Sequence, residues 1–401
     1  MKILISGAGI AGPTLAYWLN NYGFQPTIIE KAPSLRSGGY VVDFWGAGFD
    51  VADRMGLVPE ILRRGYQVQE VRVVNRNNQS VAGFSAGIFA KATHGRFTSL
   101  PRGDLAAAIF EKIQGKVETI FGDSVTRIEQ PEKAVPGCPI KVTFESGSTR
   151  EFDLVIGADG LHSRVRELVF GAQSRFENYL GYNVAAFEAG GYRPRDELVY
   201  VMYTEVGQQV TRFAMRGDRT LFLFTFQNPA ADGAAMDVPA QKALLKKRFG
   251  NSGWECPAIL KLLEGNNDLY FDRVSQIRMD PQLGLWTRGR VSLIGDAASC
   301  VSLLAGEGSG LAMVAAYILA GELHRAGGDY AQAFARYQEL FKPFVLKKQK
   351  SALRFAGNLA PKSKFAMSLR NQIMNLMTFP GIAQLAFGRG LVDEITLPGY
   401  R

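Results

Sequence analysis

Apolar positions along the chain follow two periods, and the switch between them divides it. Short unbroken apolar runs, the pattern of a strand buried on both faces, occur at residues 2–6, at 27–29, at the end of 150–159 and at 289–295. Helical spacing fills much of the intervening chain, over 13–21, 47–55, 57–64, 104–114 and 311–325. Alternation of apolar and polar residues marks 68–74 and 80–84, joined by the turn Asn75–Asn78. From Phe176 to Phe226 alternation dominates, over 181–188, 198–204, 210–215 and 221–227, which predicts an antiparallel sheet with one wet face. Helices are expected at 241–249 and 256–264, a strand at 269–279, and a loop at 297–304. The tail reads as one long helix over 329–355, with a bend expected near Pro343. Phe365, Leu369, Ile373, Leu376 and Met377 then recur at helical spacing, read as a packing stripe rather than a membrane-binding face.

The first thirty residues carry the most specific local pattern. A strand is followed by Gly7-Ala-Gly-Ile-Ala-Gly12, a helix, a second strand and Glu30. That order is the one a βαβ dinucleotide site needs. Gly7 permits the tight turn, Gly9 lets a pyrophosphate approach the backbone, and Gly12 lets the helix pack on the sheet. Ala11 lies inside this turn; Glu30, with Lys31 after it, stands where a carboxylate can take ribose hydroxyls. Two later strands also end in acids. Asp159-Gly160 opens a helix with Ser163 and Arg166, and Gly295-Asp296 precedes the glycine turn Gly306–Gly310. The fold class expected is α/β: a Rossmann-like dinucleotide-binding domain with an inserted antiparallel-sheet substrate domain and a C-terminal helical region. The boundaries expected are 1–67, 98–175 and 268–328 for the first domain, 68–97 and 176–267 for the inserted one, and 329–401 for the helices.

Totals narrow the function further. The 401 residues exceed one ordinary core. Of the net charge of +9, residues 331–401 hold an excess of 8, with 11 Lys and Arg against 3 Asp and Glu. The rest is nearly neutral, which argues against a nucleic-acid surface. Cys138, Cys256 and Cys300, like His94, His162 and His324, are scattered, so neither a metal site nor a disulfide framework is expected. No apolar run is long enough to span a bilayer and no leader pattern precedes the first strand, which makes a cytoplasmic location the expectation.

Taken together, the three blocks resemble the class A flavoprotein monooxygenases, the p-hydroxybenzoate hydroxylase-like family, and within it the tetracycline-inactivating and polyketide-hydroxylating branch. The resemblance covers about the first 340 residues. It implies that Gly7, Gly9, Ala11, Gly12, Glu30 and Lys31 bind the adenosine half of FAD. Asp159 and Gly160 match the motif linked to FAD and NAD(P)H, Gly295 and Asp296 the motif holding the ribityl or pyrophosphate region, and Arg102 the flavin-contacting arginine. Gly306 and Gly308 would lie near flavin N1 and O2. The implied reaction is NAD(P)H-dependent hydroxylation of an aromatic or polyketide-type molecule through a flavin C4a-hydroperoxide, with O₂ as co-substrate. A related FAD-dependent oxidase, dehydrogenase or Baeyer–Villiger-type enzyme is the alternative. Ser299 stands where the family has histidine, Leu303 where it has proline, and Glu307 where it has glutamine. A glutamate there would disfavour an electron-rich reduced flavin. Alternation in the inserted sheet offers Tyr182, Arg212 and Phe224 as substrate contacts, and no substrate-activating base is identified.

Overall fold

The apolar runs meet in one sheet. The computed structural model describes residues 1–36, 39–131, 139–229, 236–280, 282, 285–302, 306–377 and 395–400; Gly38, Cys138 and Leu303 lie outside them. The chain opens with β1 (Lys2–Ser6), α1 (Ala11–Asn21), β2 (Gln25–Glu30), β3 (Val41–Trp45), α2 (Gly46–Arg54) and α3 (Val58–Arg64). Next come β4 (Glu70–Val74), β5 (Ser80–Ser85), α4 (Gly87–Ala92), β6 (Phe97–Pro101), α5 (Arg102–Glu111), β7 (Glu118–Phe121), β8 (Val125–Glu129), β9 (Ile140–Phe144), β10 (Thr149–Phe152), β11 (Leu154–Gly157) and α6 (Arg164–Phe170). The second half holds β12 (Glu177–Gly190), β13 (Val199–Glu205), β14 (Gln208–Met215), β15 (Arg219–Gln227), α7 (Val238–Phe249), α8 (Cys256–Glu264) and β16 (Tyr270–Ile277). It closes with β17 (Thr287–Arg288), β18 (Val291–Leu293), α9 (Asp296–Ser299), α10 (Gly308–Arg325), α11 (Tyr330–Leu359) and α12 (Lys364–Leu376).

The six-stranded sheet runs β17-β18-β11-β1-β2-β7, parallel except at β17. Its register decides the site. Ser6 pairs with Gly157 and with Ile29, and Gly157 pairs with Leu293, so the turns after β1, β11 and β18 leave the sheet at one edge. Ile3, Leu4, Ile5, Leu154, Val155 and Ile156 have no exposed surface. Each such side chain contributes about 1.5–3 kcal/mol, against about 0–1 kcal/mol for a surface ion pair. The core strands therefore fix the edge.

The second sheet has seven strands in the order β16-β12-β15-β14-β13-β4-β5, antiparallel except for β13 beside β4. It departs from the expected wet face, because both of its sides are covered. Phe187, Phe222, Phe224 and Phe226 pack under α7 and α8 with Leu245, Phe249, Ile259 and Leu263. The alternate residues Val184, Ala186, Phe213 and Leu221 face the other way, toward Tyr40, Tyr66 and Ala360. Three further expectations change. Residues 296–299 form the single turn α9 rather than loop. The strand β6 was not visible in the pattern because its polar residues Thr98 and Ser99 are buried. The apolar stripe of α12 is exposed at Phe365, Leu369, Ile373 and Leu376, because Met374 already faces Val73, Ala82 and Phe84 on the sheet.

Candidate cofactor and substrate site

The first glycine turn is shaped by contact with the next strand. Gly7 adopts φ +108, and a Cβ there would lie 2.5 Å from the Ala158 carbonyl oxygen. A Cβ on Gly12 would come within 1.9 Å of the Gly7 oxygen, so only glycine lets α1 start this close to β1. Ala8 and Ala32 donate backbone N–H bonds of 2.8 and 2.9 Å to Glu30, which ties the end of β2 to the turn. No side chain caps the start of α1 or of α10, as is also the case for α2, α3, α4, α5, α8 and α9. Free N–H groups at helix starts favour an anion.

The later blocks arrive at the same edge. Asp159 accepts a 2.5 Å bond from Ser163 and N–H bonds from Arg164 and Val165, so its carboxylate holds the start of α6. Burial pushes the Asp159 carboxyl up, opposed by these bonds. Gly160 has φ +80, with open space where a Cβ would stand. Arg166 is fully buried and spans two blocks, donating to Leu161 O at 2.7 Å and Ala297 O at 3.0 Å. A Cβ on Gly295 would lie 3.1 Å from the Ala11 Cβ, which seats the β18–α9 turn against the start of α1. Asp296 Oδ1 stands 3.7 Å from the Cβ position of Gly308. Arg102 stands over Gly9, whose Cβ position lies 3.4 Å from Nη2. The Asp296 carboxyl is pushed up by burial and pulled down by Arg102 and by a hydrogen bond with Cys300. Gly48 and Gly310 allow α2 and α10 to touch, since a Cβ on Gly48 would lie 2.3 Å from the Gly310 Cα.

The structure thus brings together Gly7, Gly9, Ala11, Gly12, Glu30, Arg102, Asp159, Gly160, Gly295, Asp296 and Gly308, with Gly306 in the turn before α10. Lys31 is exposed beyond Glu30. An extended dinucleotide fits this line: a glycine cradle, two uncapped helix starts, an arginine and an acid, all along one sheet edge. Glu307 is met by Lys348, whose ammonium lies 2.8 Å from Oε1, so its charge is offset. A groove of about 660 Å³ lined by Lys2, Lys116, Glu118, Lys141 and Arg150 lies away from this line, at the opposite ends of β1 and β2.

Of the three residues drawn from the inserted sheet, one faces this cleft. Tyr182 is buried beside Val184, Val274 and Ala360, and its hydroxyl has no hydrogen-bond partner among the described residues. Arg212 and Phe224 lie on the other face. Arg212 binds Asp196 and Glu255 at 2.7 and 2.9 Å, and Phe224 packs edge-on against Phe249. The two-residue period identified two faces, and only the packing of α7 and α8 decides which is which.

Sequence reading gives no chemical role to a polar group at the mouth of the cleft. Asp43 on β3 is exposed, on the wall of a small pocket that it shares with Trp45, Glu307 and Lys348. It accepts a hydrogen bond from Ser99 on β6. Burial pushes its carboxyl up, and Ser99 pulls it down. Tyr200, on the cleft side of β13, has its hydroxyl pushed well above the usual range, first by burial and then by the Asp43 charge. Tyr40 and Tyr270 face each other at 5.4 Å, near Arg102 and Asp296. His162 approaches Asp272 at 3.1 Å, and that contact raises its imidazole. His162 follows Gly160 within the second block, the others sit in no glycine motif, and the one signal for Asp43 is an acid in an otherwise apolar strand.

Known proteins share this arrangement. The pattern of the family described as FAD binding domain matches residues 1–333. A flavin-dependent monooxygenase from an unidentified prokaryote is 37% identical over 345 residues, 86% of each chain. The crystal structure of the tetracycline destructase Tet(51) superposes with a TM-score of 0.82 at 33% identity, covering 100% of this chain and 99% of the other. HpxO of Klebsiella pneumoniae, solved with FAD and uric acid, has the same fold, with a TM-score of 0.76 at 23% identity over 98% of this chain and 95% of the other.

Proposed function

Since the chain belongs to the FAD-binding-domain family and is an FAD-dependent monooxygenase of the class A type, we propose that it uses NAD(P)H and O₂ to hydroxylate a fused aromatic or polyketide-type molecule. The balance is substrate–H + NAD(P)H + H⁺ + O₂ giving substrate–OH + NAD(P)⁺ + H₂O. Bound FAD supplies the electron transfer and oxygen activation. The chain's own residues bind, orient and shield.

In this reading Gly7, Gly9, Ala11, Gly12, Glu30 and Lys31 hold the adenosine half, and the free N–H groups of α1 face the pyrophosphate. Arg102, Asp159, Gly160, Gly295 and Asp296 grip the middle, and Gly306 and Gly308 present backbone N–H groups to the ring. Asp43 is the group that takes the proton of a substrate hydroxyl, with Ser99 fixing its carboxylate. Tyr182 offers a buried hydroxyl to a substrate oxygen, a contact that would satisfy it. The covered inner face of the second sheet keeps water from the reacting centre. The likeness to a tetracycline destructase over the whole chain favours a polycyclic phenol or β-diketone.

The observation that supports this reading best is the meeting of the three sequence blocks and Arg102 at one sheet edge, beside Tyr270 of the second sheet. The test is NADPH oxidation by the FAD-loaded protein under ¹⁸O₂ with a panel of polycyclic phenols. Substrate-stimulated consumption with one labelled oxygen in the product is expected. Oxidised product without label would instead assign a dehydrogenase or oxidase.

A further inference from the structure

We propose that the outer face of α12, with the basic stretch around it, docks on an anionic lipid surface. The inner face of α12 is already committed: Met374 packs on β4 and β5, and Asn375 accepts the Gly83 N–H at 3.2 Å. Arg370 reaches Thr204 and Gln209 on the second sheet. The outer face carries Phe365, Leu369, Ile373 and Leu376 at helical spacing, and Phe365 is 77% exposed. Two more exposed apolar residues flank its ends. Val206 precedes Gly207, whose N–H binds Pro361 O, and the Val81 carbonyl accepts from Asn375. An apolar strip of this kind on a water-facing helix marks an interaction surface.

Charge selects the occupant. Residues 340–377 contain eight Lys and Arg and no Asp or Glu. Of these, Lys362 and Lys364 stand at the start of α12 and are exposed. A second copy of the chain meeting this face through a twofold axis would set those cations against one another, with no carboxylate in the stretch to pair them. A surface of anionic lipid headgroups complements both features, since apolar side chains enter the acyl boundary while lysines meet the headgroups. α12 has 13 residues, about 20 Å in length, and so lies along the interface rather than crossing it. The inference stands independently of the substrate reading.

The test is co-sedimentation of the FAD-loaded full chain with vesicles of phosphatidylcholine alone or mixed with phosphatidylglycerol, at low and high salt. Binding to the mixed vesicles, weakened by salt and absent with phosphatidylcholine alone, is expected. The double variant Lys362→Gln/Lys364→Gln should bind about thirtyfold more weakly. Phe365→Ser/Leu369→Ser/Ile373→Ser should abolish binding and leave NADPH oxidation and Tm unchanged. Equal partitioning of wild type and variants, or no binding to anionic vesicles, overturns the proposal. A solution dimer that the triple variant converts to monomer overturns it too, and assigns the face to a second copy.

Discussion

At the residue scale the chemistry turns on single side chains whose surroundings are set by distant parts of the chain. Asp43 is one. Its raised carboxyl, steadied by Ser99, is suited to take a proton only once pH exceeds its own value. Asp43→Asn should lower kcat about 10²–10⁴-fold while FAD absorbance and substrate affinity persist. The variant should also lose the acidic limb of the kcat/KM profile; an unchanged profile would remove Asp43 from the mechanism. His162 makes a separate prediction. Its bond to Asp272, opposed by partial burial and helped by Gln173 and Glu177, raises the folded pKa above the unfolded imidazole value of about 6.5. Protonation therefore favours folding. The contribution is full below the unfolded value and is lost as pH rises through the folded one. The Tm difference between wild type and His162→Gln should be larger at acidic pH and shrink toward alkaline pH, as thermal denaturation across pH will read.

Elements carry the next level. α10 spans the first lobe, with its glycine-rich start at the site and its far end clasped by the C-terminal residues. Tyr400 donates to the buried Glu322 at 2.7 Å, and Tyr317 donates to Pro398 O at 2.7 Å. Arg54 of α2 reaches the same Pro398 carbonyl. Gly321 leaves room for the Tyr400 ring, since a Cβ there would lie 2.1 Å from it. The clasp thus joins α2 to α10, the two helices that touch at Gly48 and Gly310. Tyr400→Phe leaves the ring and removes the hydroxyl from a buried carboxylate, so a loss of about 1–3 kcal/mol is expected in denaturant unfolding. A stability unchanged from wild type would show that Arg325, 3.0 Å from Glu322, suffices.

For the whole molecule, cofactor binding is coupled to stability. FAD at a hundred times its Kd should raise unfolding free energy by about 2.7 kcal/mol, visible as a concentration-dependent Tm. A Tm indifferent to FAD would argue that the glycine cradle is packing alone. How far this was legible depends on locality. The strand, glycine turn, helix and acid of residues 2–30 lie within one βαβ unit, so their order in sequence is nearly their order in space. The blocks at Asp159 and Asp296 were legible as strand ends for the same reason. Arg212 and Phe224 were not, because alternation names two faces of a sheet without saying which one meets the cleft. Spacing predicts packing for the stripe of α12, because it reports a face and says nothing of its partner.

By itself, then, the sequence determined the α/β class, the glycine turn after β1 and the family, since each rests on short-range geometry that neighbouring residues impose on one another. Only the tertiary structure decided that Asp43 and Ser99 meet at the cleft, that Lys348 offsets Glu307, and that α12 turns its apolar side to solvent. Those are pairings between residues tens to hundreds of positions apart, fixed by which surfaces the two sheets and the long helices bury against one another.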